Sequence, residues 1–172
     1  LNLNNNHILN FGLDGLAQTK NYLQTDYFYD NFYSKNINDI KFGFLGYDFI
    51  TYPKTDKKQI LDLIKQYDST VDYLIISIHW GNEYLPQAEQ WRLDFAHEMV
   101  DAGADIIHGH HPHVYQAPEI YKNKYIYYSL GNFIFDQSWS YETSHTNIIR
   151  LKLDKNKILE ESIFPVEIKF NS

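Results

Sequence analysis

The stretch Val71-Asp72-Tyr73-Leu74-Ile75-Ile76-Ser77-Ile78 constrains the fold most, because it is apolar almost without interruption. A strand with one wet face alternates apolar and polar side chains; a run with no alternation must be covered on both faces. A mainly parallel sheet with helical crossovers meets that demand. Neighbouring segments supply the parts. Ile40 to Tyr47 reads as a strand in which Phe42 and Phe44 alternate. Ile60, Leu63, Ile64 and Tyr67 carry the spacing of an amphipathic helix over residues 56–68. A second helix is expected over 87–102, with Ala88, Trp91, Phe95, Met99 and Ala102 on one stripe and Gly103 as its stop. Asp105 to His108 then gives another short buried strand. The order β, α, β, α, β predicts an α/β protein.

The flanks differ in texture. Leu1 to Asn10 is Asn-rich and reads as loop. A helix is expected over 12–23, with Leu13, Leu16, Ala17 and Leu23 on one side, followed by a polar, Tyr-rich connection from Thr25 to Asp39. Pro53 opens the segment before the first crossover helix. Beyond residue 113, strands are expected at 120–121, 125–128, 147–153 and 158–168, with a turn at Asp154-Lys155-Asn156-Lys157. That pattern suggests an antiparallel sheet in the last third. The length of 172 residues fits one domain, 1–172, with a sizeable core.

Chemistry concentrates in Ala104-Asp105-Ile106-Ile107-His108-Gly109-His110-His111-Pro112-His113, where four of the eight histidines fall within ten residues. An apolar strand runs into a histidine loop that Pro112 bars from continuing as helix or central strand. His111 and His113 are two apart, so a tight extended turn can aim both at one point. Imidazole is the commonest metal ligand, although a solvated polar loop has the same composition.

In open α/β sheets, sites form beyond the carboxyl ends of strands. His79 ends the Val71–Ile78 run, and parallel neighbours would bring it beside the 110–113 loop. Asn5-Asn6-His7 precedes the first helix; Asn6 could offer an amide oxygen and His7 a proton, or the run could simply cap a helix. Glu83 could orient a ligand imidazole or be a loop acid in water. Asn132, after the turn at Gly131, could face the site or serve the turn. His97 reads as surface, and His145 has no evident partner.

Composition excludes several classes. A formal charge of −7 argues against nucleic acid or an anionic membrane held by bulk charge. With no cysteine there is no disulfide or thiolate zinc site. No Gly-x-Ser-x-Gly elbow and no phosphate-cradling Gly-Lys loop is present. Metal-activated water is therefore favoured over covalent catalysis. A His and Asn donor set suits Mn, Fe or Zn without choosing among them. Two such ions ~3.5–4 Å apart could bind an anionic group and generate hydroxide.

These residues resemble a known family. Asp72 to Tyr84, with its His79-Trp80-Gly81-Asn82-Glu83-Tyr84 ending, is similar to that family's strand and His-Trp-Gly-x-Glu-Tyr motif. Asp101-Ala102-Gly103-Ala104-Asp105, the Gly109 to Val114 loop and Tyr128-Ser129-Leu130-Gly131-Asn132-Phe133-Ile134-Phe135-Asp136 follow in order. Asn5-Asn6-His7 resembles its Ala-Asn-Asn-His motif. The family is that of the CapA (PgsA-like) capsule or poly-γ-glutamate synthesis proteins, related to calcineurin-like metallophosphoesterases.

The resemblance implies a metallophosphoesterase-like α/β/β/α sandwich with two divalent metal ions. Asn6, His79 and His111 would hold one metal and His113 the other. His7 and Asn132 would assist at the scissile group, with Glu83 behind a ligand. His110 fills a variable place and inherits no ligand role. The superfamily's Asp-x-His and Gly-Asp motifs lie upstream of the Asn-His motif. Their absence implies a domain incomplete at its N-terminus, lacking the first strands, with an incomplete site that binds metal poorly and a free sheet edge inviting homo-oligomers.

Two roles follow from the resemblance: a metal-dependent hydrolase acting on a phosphoester or an anionic polymer, or a non-catalytic subunit in polymer assembly or export beside other capsule synthesis subunits. The resemblance places the domain on the extracytoplasmic face of the bacterial membrane, anchored through a missing N-terminal segment.

Overall fold

The computed structural model describes residues 1–23, 32–52, 54–137 and 139–169. Pro53 and the start of the expected Thr25–Asp39 connection lie outside the described residues. In chain order the elements are α1 (Gly12–Tyr22), β1 (Tyr33–Ile37), β2 (Ile40–Asp48), α2 (Lys57–Asp68), β3 (Tyr73–His79), α3 (Gln90–Asp101), β4 (Ile106–His110), β5 (Tyr115–Gln116), β6 (Glu119–Tyr121), β7 (Lys124–Tyr127), β8 (Ser129–Leu130), α4 (Tyr141–Ser144), β9 (His145–Leu153) and β10 (Ile158–Glu167).

The main sheet has six strands in the order β1-β2-β3-β4-β7-β6. Its four central strands run parallel, and an antiparallel strand closes each edge. The chain is thus a mixed α/β protein with a central, mostly parallel sheet, as the uninterrupted run at Val71–Ile78 demands.

Alternation along β3 divides the two faces. Leu74, Ile76 and Ile78 pack against Ile60 and Ile64 of α2 and Phe95, Ala96 and Met99 of α3 in one buried cluster. Asp56 caps α2 by accepting from the Lys58 N–H at 2.9 Å, which satisfies a donor the helix leaves open. Tyr73, Ser77 and His79 alternate to the opposite face and are buried there too. The β9–β10 hairpin covers part of that face. Tyr127 donates to Glu161 at 2.6 Å, and Tyr73 donates to the Asp154 carbonyl at 2.7 Å.

Several expectations need correction. Residues 33–37 of the supposed connection form β1, in a hairpin with β2. In the last third β9 and β10 pair antiparallel as expected, but β7 joins the main sheet parallel to β4. The second crossover helix begins at Gln90 rather than at 87. On that helix Phe95, Met99 and Ala102 of the expected stripe are buried, but Trp91 is 38 % exposed while Arg92 beside it is fully buried. β4 continues through His110, so the irregular loop begins one residue later than the histidine spacing suggested.

Candidate metal centre

The parallel register sets Asp48, His79 and His110 level across the ends of β2, β3 and β4. Their side chains fall on the face away from α2 and α3. Close approach of the strands here needs Gly109. A Cβ at this position would run into the Tyr128 carbonyl and the Trp80 indole nitrogen, which bond to each other at 3.1 Å.

Past β4 the chain turns sharply. His111 has φ +105° and His113 φ +63°. Both lie in a backbone region that side chains other than glycine seldom occupy and that clusters at functional sites. Two backbone bonds hold the turn: Trp80 N–H to the His110 carbonyl at 3.0 Å, and Tyr84 N–H to the Pro112 carbonyl at 2.8 Å.

The side chains named from the sequence converge here. Asn6 Oδ1 lies 2.9 Å from His79 Nε2. The His79 and His111 rings are 4.6 Å apart at their centroids, and those of His111 and His113 are 5.8 Å apart. The loop acid Glu83 brings Oε1 to 3.9 Å from His113 Nε2. Among the described residues, Glu83, His111 and His113 offer ligand atoms that all lie within 4.8 Å of one another. Glu83 therefore stands among the donor atoms themselves and not only behind them.

Asn132 is fixed behind His113. It is 6 % exposed, and its amide donates to the Thr143 carbonyl at 3.1 Å, which turns Oδ1 toward His113. His113 Nδ1–H donates to that oxygen at 2.8 Å. Nδ1 then carries the proton and Nε2 keeps its lone pair. Asn132 thus faces the site through His113, whose ring it orients. His7 is exposed; its Nδ1 lies 3.0 Å from the Asn10 amide, and its charge bears on both His79 and His111.

Burial sets the protonation of the cluster. It pushes His79 down to about 3, with the charge of His111 adding to the effect and Asp48 opposing it. His111 is lowered by burial first, against an opposing pull from Glu83. Burial also holds His110 well below the ordinary histidine value. The three imidazoles are therefore neutral near pH 7, the form that ligates metal.

A cation suits this donor set on two grounds. His111 Nδ1 is buried without a hydrogen-bond partner, and buried polar atoms are rarely left so. The donors are imidazole nitrogens with amide and carboxylate oxygens, which match Mn, Fe or Zn.

Sequence reasoning missed two contributors. Asp48 is 8 % exposed and its Oδ1 accepts from the N–H groups of Ile50 and Thr51 at 2.8 and 3.1 Å. Its place at the end of a strand parallel to β3 was the available signal. His110, set aside as variable, puts its Nδ1 2.6 Å from His79 Nδ1, so one of the two nitrogens donates. Behind it, Asn2 donates to Ser77 Oγ at 2.9 Å, and both groups lie 3.3 Å from His110 Nε2. Of the three remaining histidines, His108 lies on β4 with its ring centroid 5.6 Å from that of His110, and His97 and His145 are remote. His97 is half-buried, 2.8 Å from Glu119 and stacked on Tyr121. His145 Nδ1 donates to the Tyr141 carbonyl at 2.8 Å and stacks on that ring.

Known proteins resemble this chain along most of its length. The family described as bacterial capsule synthesis protein PGA_cap matches residues 1–137. The capsule biosynthesis protein CapA of Bacillus anthracis is 33 % identical over 199 residues, covering 100 % of this chain and 48 % of its own length. The PGA biosynthesis protein CapA of Bacillus subtilis strain 168 is 31 % identical over 98 % of this chain and 50 % of its own length. The chain thus spans about half the length of the curated relatives it matches. The solved structure of a putative 5'-nucleotidase from Staphylococcus aureus in complex with alpha-ketoglutarate superposes with a TM-score of 0.63 at 17 % identity, over 96 % of this chain and 38 % of that one. That likeness establishes the metallophosphoesterase-like fold.

Proposed function

Since the chain belongs to the PGA_cap family of bacterial capsule synthesis proteins, we propose that it contributes the histidine side of a divalent-metal centre working in capsule or poly-γ-glutamate biosynthesis at the cell envelope. The observation that carries this reading is the meeting of Asn6, His79, His111 and His113, together with a buried His111 nitrogen that has no hydrogen-bond partner.

Asn6, His79 and His111 would hold one ion. His113 would hold a second, with Glu83 within reach of it. Bound metal would polarise an anionic group and supply hydroxide near neutral pH. The remaining work falls to the protein. Asn132 keeps the His113 proton on Nδ1 and leaves Nε2 to the site. His79 bridges Asn6 and His110, so its ring is held by both nitrogens. To ligate through Nε2 beside Asn6 Oδ1, it must carry its proton on Nδ1, where His110 can accept it. His7, exposed beside the cluster, would hand a proton to a leaving oxygen. A phosphoester or the anionic polymer itself is the substrate class this arrangement favours.

Protein expressed from its complete reading frame tests the reading. Calorimetric titration with Mn²⁺ or Zn²⁺ is expected to show binding that His111→Ala weakens by at least about a hundredfold, since loss of a group that only orients a ligand already costs roughly ten- to a hundredfold. Cleavage of a phosphodiester should be lost in parallel. Metal-free protein that ignores both ions yet binds poly-γ-glutamate would overturn the metal centre and favour a polymer assembly subunit.

A further inference from the structure

The loop between β3 and α3 carries Glu83 and Tyr84, and both of its ends run to one buried guanidinium. Arg92, in the first turn of α3, is 0 % exposed. Its Nε donates to Glu89 Oε2 at 2.6 Å and its Nη2 to Gln116 Oε1 at 3.0 Å, while the guanidinium lies over the Trp80 ring. Each partner passes the connection on. Glu89 Oε1 accepts from the Asn82 N–H at 3.0 Å, and the Gln116 amide donates to the Leu85 carbonyl at 2.8 Å. Asn82 and Leu85 bracket Glu83 and Tyr84. Gly81, at φ +84°, packs against the guanidinium with no room for a Cβ.

The middle of the same loop meets the histidine turn. Tyr84 N–H donates to the Pro112 carbonyl at 2.8 Å, and the Tyr84 ring stacks on His113. Stability alone is a poor account of Arg92. A buried charge gains little over an apolar side chain of the same volume, and here Nη1 is left without a partner. What the planar fork does supply is a fixed span between two acceptors, which a lysine ammonium cannot reproduce.

We propose that Arg92 is a positioning residue of the metal centre: acting through Glu89 and Gln116, it fixes both ends of the 82–85 loop and so aims the Glu83 carboxylate at His111 and His113. The proposal rests on the metal-centre reading above and adds a residue that touches neither metal nor substrate.

The test compares Arg92→Lys, Glu83→Gln and the double variant, each in protein from the complete reading frame, with Mn²⁺ as the probe. Each single change is expected to weaken Mn²⁺ binding by about tenfold, as for loss of a group that orients a ligand. The double variant should be no weaker than the worse single one, because Arg92 acts through Glu83. In the metal-free state, Arg92→Lys should speed amide exchange at Asn82 and Tyr84 and shift the His113 ring resonances. A variant that loses thermal stability but keeps its Mn²⁺ affinity overturns the proposal, as does simple addition of the two effects. Should the unsubstituted protein take up no metal, the centre itself fails. Unchanged exchange at 82–85 in Arg92→Lys would then remove the clamp as well, while faster exchange would keep it as a device of the loop. If Arg92→Lys does not fold, Gln116→Met releases the Leu85 end alone and is expected to give the same signs at smaller size.

Discussion

The two ends of the parallel strands are built on opposite principles. At the amino ends two aspartates tie neighbouring strands together. Asp72 donates its N–H to the Lys41 carbonyl at 2.8 Å and accepts the Lys41 N–H at 2.7 Å. One strand over, Asp105 repeats the device on Leu74, at 2.9 and 2.7 Å, and takes Lys124 as an ion partner. At the carboxyl ends, imidazoles face imidazoles, His111 and His113 sit at positive φ, and a buried ring nitrogen lacks a partner. Satisfied polar groups rigidify a structure, whereas an unsatisfied donor atom among imidazoles and a carboxylate leaves room for an ion. The sheet thus separates the end that holds the strands together from the end that can bind.

The strongest way to break this division is Asp105→Ala. It strips a buried acceptor from the Leu74 N–H and leaves Lys124 alone. The expected cost is about 3 kcal/mol of stability, read by urea unfolding, with Mn²⁺ affinity unchanged within about twofold. Loss of metal binding as large as that expected for His111→Ala would mean that the two ends are not separate.

Acid should act on the opposite end. In the unfolded chain a histidine titrates near 6.5, whereas in the fold burial pushes His79 down to about 3. Between those values the unfolded chain holds a proton that the folded chain does not. Stability is therefore complete above about pH 6.5 and falls as the pH drops toward 3, by about 1.4 kcal/mol per unit for this one group. His79 alone predicts a loss of about 2 kcal/mol between pH 6.5 and 5; His110 and His111, lowered in the same direction, steepen it. Urea unfolding at pH 7, 6 and 5 measures the slope, and His79→Gln should flatten it. A flat profile in the unsubstituted protein would sink the claim that these rings are buried neutral.

The division also explains what could be read from the chain beforehand. The apolar runs at Tyr73–Ile78 and Ile106–Ile107 fix a parallel sheet through burial on both faces, and burial is written directly in composition. His79, His111 and His113 stood out because histidine beside a strand end is uncommon. Their company was harder to see. His110 looks like a spare loop residue until β4 is known to extend through it, in register with His79. Asp48 needs the β2–β3 register before it becomes a neighbour of His79. Arg92 was hidden for a different reason. Its charge argues for the surface, and only Glu89 and Gln116, one of them 24 residues away, make its burial tolerable. The strand at 33–37 was masked by its polar side chains, which suit an edge whose face is largely wet. Periodicity reports burial; it does not report pairing across distant segments.

The finest distinction comes from Tyr73→Phe. The ring is buried at the amino end of β3, and only its hydroxyl reaches out, to the Asp154 carbonyl at 2.7 Å. The turn it touches is held mostly by its own bonds, with Lys155 also lying 3.7 Å from Asp72. Asp154 Oδ1 accepts from Asn156 and Lys157 N–H groups at 2.7 and 2.9 Å, and the Asp154 N–H returns to the Lys157 carbonyl at 3.0 Å. Removing the hydroxyl therefore costs one hydrogen bond and no packing, about 1 kcal/mol, because the exposed turn can offer its carbonyl to water. The expected signature is a small drop in the urea midpoint, faster amide exchange in the 154–157 turn and no change in Mn²⁺ affinity. Tyr73 shares its strand with His79, six residues along, so this substitution probes transmission along β3 itself. A weakened site in Tyr73→Phe would show that the strand carries strain from one end to the other, and the separation between its binding and holding ends would fail within a single strand.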